Sequence, residues 1–185
     1  MGHLDTLVRY DTLVARGALD LYDDRLIRRW MRGRDAVTVA EALEVRAPAA
    51  IVFWAVLREY LVGARVLHQL ALDIAAEYLQ RHRAAHGTYI DFRTERALDA
   101  KQAWIDQRIS DGELVVAATA AGQAARDVTL HGGDHVWAVA HIVCQALLFE
   151  PDDAVTQTYY SFIETFAGPD DNAWLVAQAG KRLAE

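Results

Sequence analysis

Apolar residues recur at steps of three and four along most of the chain, the spacing that places them on one face of an α-helix. The longest such run begins after Pro48 and ends at Leu79, with polar side chains on the opposite face. We expect an amphipathic helix of roughly eight turns, about 45 Å long. Gly63 is its predicted bend, because glycine costs a helix about 1 kcal/mol relative to alanine. The apolar positions are Val52, Val56, Leu57, Tyr60, Leu61, Leu67, Leu70, Ile74, Tyr78 and Leu79.

Capping residues mark the starts of further helices. Thr38 with Glu41, and Ser110 with Glu113, have the spacing of a capping box, in which two otherwise unpaired amide donors gain acceptors. The other predicted helix starts have an aspartate or a proline in the positions that favour the first turn, and they are Asp23, Asp91, Pro151 and Pro169.

Strand signals are confined to two short β-compatible runs at 36–39 and 114–117. The pattern therefore predicts an all-α fold, a single-domain bundle of about seven or eight helices with one long central helix. In this interpretation residues 1–34 hold N-terminal helices, the first from Leu4 to Val14, and residues 151–185 form a C-terminal helical pair.

Composition limits the class of protein. The 185 residues are 53% apolar and 24% charged, which is ordinary for a globular chain, and one cysteine excludes an internal disulfide. No run of 18 or more uncharged apolar residues is present, so we expect no membrane span. The N-terminus also lacks the pattern of a secretory signal, and a cytoplasmic location is the prediction.

Charge is unevenly distributed along the chain. Residues up to Arg93 include 13 basic and 12 acidic side chains, a net of +1, and the rest include 6 basic and 14 acidic, a net of −8, which together give −7. This acidity argues against a general nucleic-acid binder, which needs clustered lysine and arginine to neutralise phosphates.

The middle of the chain carries an ordered set of segments that resembles a known family. These segments are V-T-V-A-E-A-L at 37–43, V-F-W-A-V-L at 52–57, the run 70–79, R-T-E-R-A-L-D-A-K-Q-A-W at 93–104, the Ala-rich stretch 115–125 and the helix that holds Trp137. Over residues 37–145 the chain resembles the helical immunity-protein-like domain of uncharacterised bacterial and phage proteins. The usual D-R-P-R entry to the fourth segment is replaced by Asp91-Phe-Arg-Thr. The resemblance implies an all-α fold and a toxin-neutralising role, and it brings no catalytic residues.

Five arginines fall within the ten residues 25–34. Arg25, Arg28, Arg29 and Arg32 are spaced i, i+3, i+4 and i+7, which places them on one stripe of a helix. Such a stripe can pair with the acidic second half of this chain, dock an acidic protein partner or bind a phosphate backbone. Pairing within the chain, or a solvated stripe, is the favoured interpretation, and a partner-binding surface is the functional alternative.

Polar residues of the long helix form a second candidate site. Arg58, Arg65, His68 and Asp73 would line a ligand pocket if another helix covers their face. A solvated face with ion pairs along the helix is the simpler interpretation of the same residues.

Histidine spacing raises the question of a metal. His82 with His86, and His131 with His135, are four residues apart, but we expect solvated or capping roles for them. His135, His141 and Cys144 could form a Cys/His₂ zinc site, although a buried cysteine and a hydrogen-bonded histidine are favoured. A Cys144 nucleophile with His141 as base is weaker still. We therefore predict no metal and no cofactor.

Standard catalytic motifs are missing from the sequence. There is no Glu-x-x-His pair, no G-x-G-x-x-G or G-x-x-x-x-G-K phosphate loop and no G-x-S-x-G. The first hypothesis is therefore a non-enzymatic module that binds a protein partner, as an immunity or anti-host factor. The alternatives are a bundle enzyme that binds a small molecule or a metal, and a nucleic-acid-associated helical module. Five tryptophans and the apolar helix are also compatible with a homo-oligomer.

Overall fold

The computed structural model describes residues 3–45, 49–87, 90–130, 134–166 and 168–185. Twelve α-helices and one two-stranded ribbon lie within these ranges, so the predicted all-α class is confirmed. After a 3-10 turn at His3–Asp5 the elements are β1 (Leu7–Arg9), α1 (Tyr10–Ala15), α2 (Ala18–Leu21), α3 (Asp24–Trp30), β2 (Ala36–Thr38), α4 (Val39–Glu44), α5 (Ala49–Val56), α6 (Glu59–Val62), α7 (Ala64–His86), α8 (Phe92–Ile105), α9 (Asp111–Leu130), α10 (Asp134–Ala146), α11 (Pro151–Thr165) and α12 (Pro169–Ala184). The first 62 residues contain six of these helices, α1 to α6, and each has only four to eight residues. These short helices explain why the number exceeds the expected seven or eight.

The long central helix is present, but it begins later than the apolar run suggested. α7 has 23 residues and starts at Ala64, whereas the preceding part of the run forms the separate helices α5 and α6. Gly63, the predicted bend, has φ 77° and ψ 148°, a combination that ends α6 and reorients the chain. A second break falls at Arg58, whose backbone is extended at φ −127° and ψ 138°.

α7 supplies the centre of the hydrophobic core. Its side chains Leu67, Leu70, Ile74 and Tyr78 are at most 1% exposed. They recur at steps of three and four, so one helical face is buried along its length. α11, α10, α8 and α12 pack against this helix, and Phe162 of α11 lies 6.3 Å from the Tyr78 ring centroid in an edge-on arrangement.

The N-terminal prediction was wrong in one respect. Residues 7–9 form a strand instead of the first turns of a helix, and they pair antiparallel with 36–38 so that Val8 lies opposite Val37. The alternation of exposed and buried residues in β1 buries Val8, which is the period of two that a strand requires. The β-compatible run at 36–39 thus contains a strand, whereas the run at 114–117 is helical and belongs to α9.

The predicted caps are present. Thr38 and Glu41 form a complete capping box, and Ser110 and Glu113 make the same reciprocal bonds at the start of α9. The Asp91 carboxylate accepts the Arg93 amide at the start of α8, and α11 and α12 each begin at a proline. In the described part of the chain, no helix is long and apolar enough to cross a membrane.

Substitution of two glycines tests the break before α7. We expect Gly63→Ala to destabilise the protein by about 1–3 kcal/mol, because an L-residue is strained at this positive φ. Gly122→Ala, in the middle of α9 with no atom closer than 4.0 Å to a new Cβ, is the matched control and should stabilise by about 0.5–1 kcal/mol. Urea unfolding of both variants is the measurement, and equal shifts of the same sign would contradict the assigned role of Gly63.

Candidate functional site

The arginine surface, defined as Arg25, Arg28, Arg29 and Arg32, lies on the outer side of the N-terminal helices. Ile27 and Trp30 of α3 are buried at 2% exposure and turn the opposite face of this helix to solvent. Arg28 is engaged within the chain, since its Nε is 3.1 Å from Asp24 and its guanidinium is 4.1 Å from the Tyr10 ring centroid.

The four arginines do not form one continuous helical stripe. α3 ends at Trp30, and Arg32 has a left-handed φ of 55°, so it follows the helix instead of extending it. Arg34 pairs with Glu41 at 2.9 Å. Among the described residues, Arg25, Arg29 and Arg32 form no ion pair, and all three are exposed. Of the four, Arg28 therefore pairs within its own helix, with Asp24, which does not belong to the acidic second half of the chain.

The four residues of the predicted pocket occupy three different places. Arg58 donates to the Trp54 carbonyl at 2.6 Å and pairs with Asp152 of α11 at 3.5 Å, while Asp152 also accepts the Glu59 amide at 2.8 Å. Asp73 pairs with Arg182 of α12, with Nη2 at 2.8 Å from Oδ1. These two side chains therefore serve helix packing.

Arg65 and His68, by contrast, line a common cleft. The cleft has a volume of about 620 Å³ and opens where α7, the end of α8 and the start of α11 meet. Its lining, which defines the Trp104 cleft, is Glu59, Ala64, Arg65, His68, Trp104, Ile105, Gln107, Ile109, Asp111, Phe149, Glu150 and Pro151. A volume in the range of roughly 300–1,000 Å³ is typical of small-molecule sites.

Trp104 is at the centre of an aromatic box formed with His68 and Phe149. The His68 ring lies 4.9 Å from the Trp104 ring at 82°, and the Phe149 ring lies 5.6 Å from it at 85°. Both neighbours thus meet the indole edge-on, which is a favourable geometry for aromatic quadrupoles. Trp104 Nε1 donates to Asp111 Oδ1 at 2.7 Å, which fixes the indole orientation.

His68 is held in its neutral form. Burial is the main cause that lowers its pKa to about 4, the charge of nearby Lys101 lowers it further, and a hydrogen bond with the Phe149 backbone opposes the shift. The residue is 4% exposed, and Nδ1 has no hydrogen-bond partner in the described structure. At neutral pH the imidazole is therefore an uncharged aromatic wall.

Lys101 is a functional candidate that the sequence reasoning did not single out. Its side chain is 0% exposed, Nζ donates to the Leu148 carbonyl at 2.9 Å and lies 4.2 Å from the Trp104 ring centroid. Burial lowers the pKa of this amine to about 7. The signal was present in the sequence, because Lys101 lies four residues after Ala97 and four before Ile105 on the buried stripe of α8.

The candidate zinc ligands are only partly within the described residues. His141 and Cys144 lie one turn apart on α10, whereas the side chain of His135, together with His86 and His131, lies outside the described part. Burial raises the pKa of the Cys144 thiol, which disfavours the thiolate that a metal or a nucleophile needs. Among the described side chains, no group of three His, Cys, Asp or Glu could hold a metal ion.

The prediction of a solvated His82 was wrong. This side chain is 2% exposed, and its ring centroid lies 6.1 Å from that of Tyr78. α7 continues past His82 to His86, so His82 lies within the helix at a position that is packed.

Acid stability tests the neutral His68. As the pH falls from 6.5 to 4, His68 becomes protonated in the unfolded chain but stays neutral in the folded one. The free energy of unfolding therefore decreases by up to about 1.4 kcal/mol per pH unit. His68→Phe keeps an aromatic ring and should lose this contribution. Urea unfolding of both proteins across this pH range measures it, and parallel curves would contradict the assigned protonation state.

Comparison with protein-family models, with curated proteins and with solved structures finds no match to this chain.

Proposed function

We propose that the chain is a non-enzymatic interaction module that binds an acidic protein partner through the arginine surface. Three of its members, Arg25, Arg29 and Arg32, supply exposed positive charge on a chain whose net charge is −7. Charges of this kind steer an oppositely charged partner and fix its orientation.

The observation that carries the proposal is that three exposed arginines without an ion pair lie within eight residues of one another, whereas the other described arginines without one, Arg9, Arg16, Arg96 and Arg126, are separated along the chain. In the described part of the chain nine arginines form ion pairs with carboxylates. Arg25, Arg29 and Arg32 form none, although the chain has 26 acidic residues against 19 lysines and arginines. With so many carboxylates in the chain, a local group of arginines that pairs with none is available to carboxylates of another molecule.

The family resemblance supports a more specific form of this proposal. An immunity or anti-host factor neutralises its target by binding, and it needs a surface but no catalytic residues. The partner would then be a toxin-like protein with an acidic patch. The exposed Leu19 and Leu21, which are 46% and 60% exposed just before α3 in the chain, offer apolar contact area beside the charges.

Charge removal at the arginine surface tests the proposal. A fluorescent oligoglutamate peptide is the probe, and we expect Arg25→Gln/Arg29→Gln/Arg32→Gln to weaken its binding by about fivefold or more, because three exposed pairs at about 0.2–1 kcal/mol each are lost. Fluorescence anisotropy at low salt is the measurement. Binding should weaken as salt rises.

The matched control removes the same charge elsewhere. Arg16, Arg96 and Arg126 are exposed and in no ion pair among the described residues, and Arg16→Gln/Arg96→Gln/Arg126→Gln should change the affinity by less than about twofold. An equal loss of peptide affinity in both triple variants would contradict the proposal. Duplex DNA that binds more tightly than the peptide, and loses affinity in the first variant, would establish the nucleic-acid alternative.

A further inference from the structure

We infer that the Trp104 cleft is a binding site for an organic cation, an alkylammonium group attached to an apolar body. The site is independent of the arginine surface and shares no residue with it. Three observations converge on this ligand chemistry, namely the three rings, the charge of the rim and the neutral histidine, whereas the buried Lys101 opposes it.

The aromatic box provides electron-rich surfaces for a cation. Trp104 is the most favourable ring for a cation–π contact, and His68 and Phe149 stand nearly perpendicular to it at 82° and 85°. Three rings in this arrangement present walls to a group that enters the cleft. Quaternary and substituted ammonium groups are the ligands that such cages hold in proteins.

The rim of the cleft is negatively charged. Glu59, Asp111 and Glu150 line it against a single cation, Arg65. The guanidinium of Arg65 pairs with Asp106 at 3.4 Å, and its side chain is 75% exposed. The net charge of the lining residues is −2, so an anion is repelled and a cation is attracted.

The bond between Asp111 and Trp104 links the charge of the rim to the rings. An indole N–H that donates to a carboxylate, here at 2.7 Å, places negative charge at the edge of the same ring that faces the ligand. The carboxylate therefore strengthens the attraction of the Trp104 face for a positive charge.

His68 favours the same ligand because it carries no charge. A protonated imidazole in the box would repel a cation, but its buried position keeps it neutral at physiological pH. Its ring is 4% exposed and is held against Trp104, so it acts as a wall of fixed orientation.

Lys101 places a second amine against Trp104, and burial lowers the pKa of this amine to about 7. Its side chain is fully buried and is not among the residues that line the cleft, and Nζ lies 4.2 Å from the indole ring centroid. A cation bound against Trp104 in the cleft would lie close to this amine when it is protonated. The two like charges oppose each other, which makes Lys101 a restraint on ligand affinity that substitution can release.

A pair of probes that differ only in charge tests the proposal. Choline and benzyltrimethylammonium are titrated into the full chain beside 3,3-dimethylbutan-1-ol, the neutral analogue of choline, and benzoate as the anion. The measurement is the shift of the Trp104 indole N–H signal in the proton–nitrogen NMR spectrum, identified by its absence in Trp104→Phe. We expect saturable shifts with both cations and an affinity for the neutral alcohol that is lower by about tenfold or more.

Phe149 and Phe92 offer a matched pair of variants. Both phenylalanines are exposed, at 41% and 51%, but only Phe149 lines the cleft. Phe149→Leu should weaken benzyltrimethylammonium binding by about threefold or more, whereas Phe92→Leu should leave it unchanged. Equal affinities in these two variants would overturn the location of the site.

Two further variants separate charge effects from structural damage, because they should act in opposite directions. Asp111→Asn keeps an oxygen for the Trp104 Nε1–H but removes the charge, and it should weaken cation binding. Lys101→Met removes the buried charge beside the indole and should tighten cation binding by a few-fold. General disturbance of the cleft would weaken binding in both variants, and that outcome would count against the inference.

Three results with the wild-type chain would also overturn it. These are equal affinity for choline and its neutral analogue, tighter binding of benzoate than of either cation, and the absence of a saturable shift with both cations. Each of these outcomes leaves the arginine surface untested, so the two proposals can fail separately.

Discussion

The burial of one face of α7 is the constraint on which the rest of the structure depends. A helix of 23 residues that hides Leu67, Leu70, Ile74 and Tyr78 needs partners along its whole length, and α8, α10, α11 and α12 supply them. Large apolar side chains that leave water in this way provide most of the favourable free energy of folding. Positions of the other elements follow from covering this face, and the cleft opens where the covering helices end.

The polar groups buried near this core are of two kinds, those with a partner of opposite charge and those without one. Asp73 and Arg182 satisfy each other between α7 and α12, and they hold two helices together. Lys101 and His68 have no carboxylate partner in the described structure, and burial moves the pKa of both towards the neutral form. The ion pair of Asp73 and Arg182 thus stabilises the packing of two helices. Around Trp104, by contrast, burial determines the protonation states of His68 and Lys101.

Local rules predicted the features that depend on neighbouring residues in the chain. The capping boxes at Thr38 and Ser110, the helix starts at the prolines and the helical character of the chain were all readable from spacing. The strand at 7–9 was missed because three residues carry too little periodicity, and only its pairing with 36–38 stabilises it. The start of α7 was placed too early because the apolar run gives no sign of the extended backbone at Arg58, and Gly63 was expected to bend one helix and not to separate two.

The candidate site was harder to predict because it depends on contacts between distant segments. Arg65 and His68 line one cleft, but the Trp104 and Phe149 side chains beside them come from other segments of the chain. Arg58 and Asp73 share the apolar run with them, yet α11 and α12 engage these two side chains elsewhere. The burial of Lys101 could be predicted only by noticing that a charged residue occupies the buried stripe of α8. A search for apolar positions alone does not detect it.

The carboxylate of Asp152 lies at the break between α5 and α6, where it accepts the Glu59 amide from 93 positions earlier in the chain. During synthesis on the ribosome, residues 58 and 59 emerge long before this carboxylate does. The Glu59 amide therefore lacks its Asp152 acceptor until α11 has been translated and has packed against the preceding helices. This hydrogen bond is thus a contact of high sequence separation, which ties the N-terminal half of the chain to a C-terminal helix.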